Sequence, residues 1–139
     1  MQNRSVPSDT VVPHVTYRDL PAARAWLCGT FSFREAFRYG DPLGGIQMLL
    51  ANACIMITQA TESRPPSASF FTVILEDVDT HYRRSVQHGA KIVEDLHVTI
   101  YGERQYAAED LEGNRWLFSQ HARDLAPEEW GADISHRDD

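Results

Sequence analysis

Apolar residues recur along this chain with two periods, near 2 and near 3.6, and the switches between them outline the elements. Val11 to Tyr17 alternates as a strand, and Pro13, which lacks an N–H for a ladder, predicts an edge or bulged one. Asp19 offers an N-cap, and Pro21 falls in the first turn, where its missing N–H is harmless. Ala23, Trp26 and Leu27 share one helical face, which predicts a helix over Leu20 to Cys28 stopped by Gly29. Three strands are predicted next, at Phe33 to Tyr39, Gly45 to Ala51 and Ala53 to Gln59. Thr61 to Ser69, with Pro65 and Pro66, reads as a linker. The order then begins again. A strand is predicted at Phe70 to Glu76, a helix from Asp79 through His88 to Gly89, and strands at Lys91 to Val98, Arg104 to Glu109 and Arg115 to Gln120. Asp19/Gly29 and Asp79/Gly89 have one spacing, and the second pair lies 60 residues after the first. Such an internal repeat marks two copies of one unit. The predicted fold class is α+β, two βαβββ modules spanning 11–60 and 70–120. A disordered lead-in over 1–10, a linker over 61–69 and a C-terminal tail over 121–139 complete the organisation.

Between the last two strands, Asp110 to Asn114 predicts a tight turn, because Asp and Asn bond their own backbone and Gly113 tolerates positive φ. The 139 residues suit one domain or two small fused modules, and 42% hydrophobic content supports a core. A formal net charge of -7 without a basic run argues against nucleic acid as a partner, which needs clustered positive charge. No apolar run approaches the roughly 20 residues that span a bilayer, and Met1 to Thr10 has no apolar signal core. Cys28 and Cys54 are read as free, buried thiols, and a cytoplasmic location is expected.

The run Tyr101 to Phe118, with its hairpin at Asp110-Leu111-Glu112-Gly113-Asn114, resembles the closing hairpin of the vicinal-oxygen-chelate superfamily (glyoxalase I, bleomycin-resistance proteins, extradiol dioxygenases). That hairpin is usually Asp-Pro-Asp/Glu-Gly-Asn/His. The duplicated module agrees with the resemblance, which covers Val11 to Gln120. Tyr101-Gly102-Glu103-Arg104-Gln105-Tyr106 and the tail Pro127-Glu128-Glu129-Trp130-Gly131 are similar to the bacterial branch labelled bleomycin-resistance-like or PhnB-like. The resemblance implies a cupped mixed sheet with a pocket in its concave face, and a homodimer with pockets near the subunit interface. Metal-using members hold one divalent ion with His, Gln or Glu from the strands of the cup. The corresponding positions here are Val12, Met56, Phe70 and Leu117, the last standing seven residues after Asp110. None of these side chains coordinates Zn²⁺, Ni²⁺ or Fe²⁺, which take imidazole, thiolate or carboxylate donors. No metal and no other cofactor is therefore expected.

The remaining candidates are polar or aromatic residues of the expected cup. His14 and Thr16 share the strand parity of Val12, and Thr72 that of Phe70. Arg104 is a candidate for an anionic ligand, and Tyr101 for stacking on a planar one. The expected ligand-binding set is His14, Thr16, Phe70, Thr72, Tyr101, Arg104 and Leu117, with no catalytic residue assigned. His14 alone is not a metal site. His81 and His88 fall on one helical face, read as solvent-facing, and His97, His121 and His136 have no spaced partners. Tyr106 and Trp116 are read as core, and the acidic trio Glu76, Asp77 and Asp79 as helix capping. No nucleophile–base set, phosphate loop or dinucleotide fingerprint is present. The leading expectation is a metal-free small-molecule binding protein, with drug or antibiotic sequestration implied by the resemblance. The alternatives are a metal-dependent glyoxalase-like lyase, isomerase or dioxygenase, and a structural dimer without ligand.

Overall fold

The structure, a computed structural model, describes residues 11–66, 68–122 and 126–133. The expected lead-in and His136 lie outside the described residues. The first half comprises β1 (His14–Tyr17), α1 (Leu20–Phe31), β2 (Arg34–Tyr39), β3 (Gly45–Leu50) and β4 (Ala53–Gln59). The second comprises β5 (Phe70–Ile74), α2 (Val78–Gln87), β6 (Lys91–Val98), β7 (Glu103–Glu109) and β8 (Arg115–His121), followed by a short 3₁₀ turn at Pro127–Trp130. Two four-stranded mixed sheets form, in the orders β1-β4-β3-β2 and β5-β8-β7-β6. In each, the first strand pairs in parallel with the last and the other pairs are antiparallel. This is the α+β duplication read from the sequence, and β1 is an edge strand as Pro13 required. Among the described residues no helix is long and apolar enough to cross a membrane.

One side chain closes each module onto its own helix. Asp19 caps α1 by accepting from the Ala22 N–H, and the Leu20 N–H donates to Gln59 Oε1 at the end of β4. Asp77 caps α2 from the Thr80 N–H, and the Val78 N–H donates to Gln120 Oε1 near the end of β8. Both helices thus have their orphan N-terminal donors met by an aspartate and a distant glutamine. The second cap is Asp77, not Asp79, so the helices are offset by 58 residues (77 − 19) rather than 60. Asp79 instead sits in the first turn of α2, consistent with capping as the role of the acidic trio.

Gly29 does not stop α1, which runs on to Phe31 and ends at Ser32 in the left-handed region, φ 66°. The reason lies in the other module. The last four carbonyls of α1 accept hydrogen bonds from three side chains of α2. Arg84 donates to Cys28 O and Gly29 O, Ser85 Oγ to Thr30 O at 3.5 Å, and His81 Nε2 to Phe31 O at 2.7 Å. Helix ends leave these acceptors open unless something meets them. Phe31 is fully buried and packs edge-on against Trp116 and Phe118 of β8. His81 is therefore buried between the modules, which corrects its reading as a solvent-facing residue; His88 is exposed. A carbonyl accepts from Nε2, so His81 Nδ1 is the acceptor for the Tyr106 hydroxyl. Burial pushes the His81 pKa down and the Tyr106 pKa well up.

The inward residues of both sheets join one core with α1 and α2. Val15, Tyr17, Ile46, Met48, Ile55 and Ile57 come from the first sheet, and Val73, Tyr106, Trp116 and Phe118 from the second. The signature turn is tied into this core. Asp110 is buried and accepts from Tyr17 Oη at 2.7 Å, Trp116 Nε1 at 3.0 Å, Asn114 Nδ2, and the backbone N–H groups of Glu112 and Asn114. Glu112 adds an ion pair with Arg18 at 3.1 Å. Gly113 takes φ +84°, the conformation the turn demanded of it. Burial and the Asp110 charge hold the Tyr17 phenol far above its ordinary pKa.

Candidate functional site

Strand alternation puts the remaining side chains on the faces turned away from this core, and the registers order them into rows. On the second sheet one row runs Thr72, Leu117, Ala107, Glu94, flanked on one side by Phe70, Arg115, Glu109, Lys91 and on the other by Ile74, Ser119, Gln105, His97. On the first sheet His14 lies beside Met56, which lies beside Gln47 and then Phe37; Thr16 lies beside Thr58. Phe70, Thr72 and Leu117, predicted separately, are thus neighbours. His14 and Thr16 belong to the other sheet. His14 is exposed beside Met56, while the Thr16 hydroxyl donates to Pro65 O of the connecting segment at 3.0 Å.

Arg104 is on the other side of its sheet. Its Nε and Nη2 donate to both oxygens of Asp79, at 2.9 and 2.8 Å, so the guanidinium braces the start of α2 rather than joining Leu117. The hydrogen bonds from Arg104 hold the Asp79 carboxyl below the usual carboxylate range. Tyr101, in the β6–β7 turn, carries the Trp130 ring at a centroid distance of 5.4 Å and donates its hydroxyl to Gln105 Oε1. The tail's Trp130 therefore packs on this chain's own turn.

The sequence reading missed the polar array of this face. Glu94 Oε1 accepts from Gln105 Nε2 at 2.9 Å and pairs with His97 Nε2. Glu103 pairs with His121 Nδ1 at 2.9 Å and accepts from Ser119 Oγ. His97 and His121 are thus partnered, contrary to their reading as isolated surface residues. Gln105 and Ser119 are buried beneath these contacts, 5% and 3% exposed. The bonds from Gln105 and His97 hold the Glu94 carboxyl below its ordinary value. No local motif signals this array, because each pair either crosses strands or depends on a bulge between Glu94 and His97. Among the described residues no three His, Cys, Asp or Glu side chains converge as a metal site. Met56 and Leu117 sit on these outward faces and Phe70 is 60% exposed, so the positions that would carry metal ligands by resemblance present apolar groups.

The edge of this face opens into concavities. A cleft of about 620 Å³ runs between the Ala51–Ala53 turn and β5, lined by Thr72 to Glu76. An adjoining apolar pocket of about 210 Å³ is walled by Val11, Phe33, Ile55, Phe71, Val73 and Trp116. Phe70 and Ile74, at 60% and 63% exposure, stand on the same strand. Of the expected set only Thr72 lines these two concavities, and the polar array lies across the sheet from them.

Comparison with known proteins bears on this arrangement. The profile of the Glyoxalase/Bleomycin resistance protein/Dioxygenase superfamily matches residues 9–118. Among solved structures, TioX from Micromonospora sp. ML1 superposes with a TM-score of 0.73 and 28% identity, covering 82% of this chain and 99% of TioX. TnmS3, an antibiotic binding protein from Streptomyces sp. CB03234, matches with a TM-score of 0.67 and 20% identity, over 84% of this chain and 100% of its own. A bleomycin-binding protein complexed with bleomycin matches at 0.63 and 17%, over 81% and 98%. No curated protein matches. The profile spans most of the chain and the fold agrees strand for strand with the duplicated module, so the protein belongs to the glyoxalase/bleomycin resistance protein/dioxygenase superfamily.

Proposed function

We propose that this protein binds a small, partly planar organic molecule without a metal, on the outward sheet faces, and that a homodimer completes the site. The observation that carries the reading is the chemistry of Val12, Met56, Phe70 and Leu117. By the resemblance they stand where metal-using relatives place their ligands, and they offer thioether, phenyl and alkyl groups instead. Apolar side chains on a sheet face with a few polar groups beside them hold a ligand by burial and orient it by hydrogen bonds. His14 and Thr16 on one sheet, and Phe70, Thr72 and Leu117 on the other with Tyr101 in its β6–β7 turn, are the contact set; Arg104 is engaged by Asp79 and acts on the fold. The two groups stand on different sheets, and Phe70, Ile74, Val98 and Ile100 are exposed. A second copy that covers these faces would bring the groups together, as closed two-fold dimers do. TnmS3 is described as antibiotic binding, and another relative of the fold was solved with bleomycin, which favours drug or antibiotic sequestration as the physiological role.

The test combines three measurements on the full chain. Thermal melts with a panel of planar aromatic compounds should show ligand-dependent stabilisation. Sedimentation should give a dimer, and elemental analysis no stoichiometric transition metal. Stoichiometric Ni, Zn, Mn or Fe together with turnover of a glyoxalase-type substrate would replace the binding reading with a lyase. A monomer with a flat melt against the whole panel would remove it.

A further inference from the structure

On the outward face of the second sheet, Lys91 meets Glu109 at 3.2 Å. Arg115 has only a longer ion pair, with Glu94. Its Nε is buried without any hydrogen-bond acceptor. Glu94 Oε2 stands 3.9 Å from Nη2 of Arg115, an ion-pair separation beyond hydrogen-bond distance, and Glu109, the cross-strand neighbour of Arg115, pairs with Lys91. Glu94 Oε1 is already taken by Gln105 and His97. The guanidinium lies over the Phe70 ring, 5.6 Å from its centroid. Stacking uses the face of the guanidinium and leaves its in-plane N–H donors for an acceptor. The side chain is 43% exposed, and register places it beside Phe70 in the row next to Thr72 and Leu117.

We propose that Arg115 is the charged anchor of the ligand site, and that the ligand is a planar molecule bearing a carboxylate or an ionised phenol. This rests on the small-molecule reading above. The apolar body lies against Phe70, Thr72 and Leu117, and the acidic group takes the terminal Nη donors of the half-exposed guanidinium, the buried Nε being out of its reach. A cationic ligand is the competing choice, since Glu94 and Glu109 stand beside Arg115. Glu94, however, already accepts hydrogen bonds from Gln105 and His97, and Glu109 pairs with Lys91, whereas among the described residues no side-chain acceptor lies within hydrogen-bond distance of Arg115. The chain's net charge of -7 opposes an anion at long range, so the preference must come from this local contact. Arg104, the arginine singled out by sequence, is excluded because Asp79 occupies its fork.

The experiment uses three probes on one ring system: anthraquinone-2-carboxylate, its neutral hydroxymethyl analogue and its aminomethyl analogue. Affinities for the dimeric protein are measured by fluorescence quenching. Wild type should bind the carboxylate about tenfold tighter than the other two, the factor that a charge-assisted contact of about 1.4 kcal/mol supplies. Arg115→Gln should abolish that preference, read as the ratio of carboxylate to neutral-probe affinity. Arg115→Lys, which keeps the charge and loses the fork, should retain part of it and covers the case of a poorly folded glutamine variant. Equal binding of all three probes, or a carboxylate preference that survives Arg115→Gln, would overturn the assignment while the binding reading stands. Preference for the amine would move the anchor to Glu94 and Glu109. Failure of every probe to bind would remove both readings.

Discussion

Replacing Asp110 by asparagine keeps the shape of the side chain and removes its ability to accept on both oxygens. The carboxylate meets five donor groups: Tyr17 Oη, Trp116 Nε1, Asn114 Nδ2 and two backbone N–H groups. In Asp110→Asn one oxygen still serves the Glu112 and Asn114 N–H groups. The new NH₂ then faces the indole N–H of Trp116, a donor against a donor, in a site only 6% exposed. The Tyr17 hydroxyl must reverse its role and lose its acceptor. Leaving a buried donor unpaired costs about 1–3 kcal/mol, and each lost bond to a charged group about 1.5–3. Part of the loss is offset by relief from burying a charge, so a net destabilisation of roughly 3–5 kcal/mol is expected. That is a large share of the ~5–15 kcal/mol that holds a domain together. Tm should fall by roughly 10–15 °C at this chain length. Urea denaturation followed by tryptophan fluorescence measures it. Tyr17→Phe removes one of the bonds and should cost about 1–2 kcal/mol. The double variant should lose less than the sum, because both singles break the same contact. A loss under about 1 kcal/mol for Asp110→Asn, or full additivity with Tyr17→Phe, would refute this account of the turn.

Two further predictions concern the helices. His81 is neutral in the fold and its pKa is depressed by burial, so the unfolded chain binds its proton first as pH falls. Its contribution is complete above the unfolded value of about 6.5 and declines below it until the folded pKa is reached. The stability of His81→Gln should therefore depend less on pH between 7 and 5 than that of wild type, and identical slopes in denaturant titrations would contradict this. Gln59→Ala and Gln120→Ala should each cost about 1 kcal/mol as lost helix-start bonds. Hydrogen exchange should show the Leu20 and Val78 amides losing protection in the matching variant, and unchanged protection would reject the caps.

Much of the fold was legible along the chain because strand and helix periods are local. Eight of the ten strand and helix positions needed shifts of no more than two residues. The α1 end was not legible, because Gly29 is a local stop signal and what overrides it, the donors Arg84, Ser85 and His81, lies more than 50 residues away. The site divides along the same line. Parity placed Thr72 with Phe70 on one face, and the resemblance of the closing hairpin added Leu117, which register then set beside Thr72. Parity also separated Glu103 from Arg104, but it does not say which of the two faces the helix. Asp79 answers that through space. Arg115 and the Glu94–Gln105–His97 array were missed because their roles come from cross-strand register and from a bulge, neither of which leaves a mark in the spacing of residues.

The bonds that finish α1 have a bearing on how the chain is made. Its first amide waits for Gln59, and its last four carbonyls wait for His81, Arg84 and Ser85. During synthesis α1 leaves the ribosome before α2 and is therefore completed only after it. Until the second helix emerges, its final turn presents Phe31 and four open acceptors to whatever is nearby. Truncation after the first module would leave that end permanently exposed, so the two halves, though copies in pattern, are no longer independent in practice.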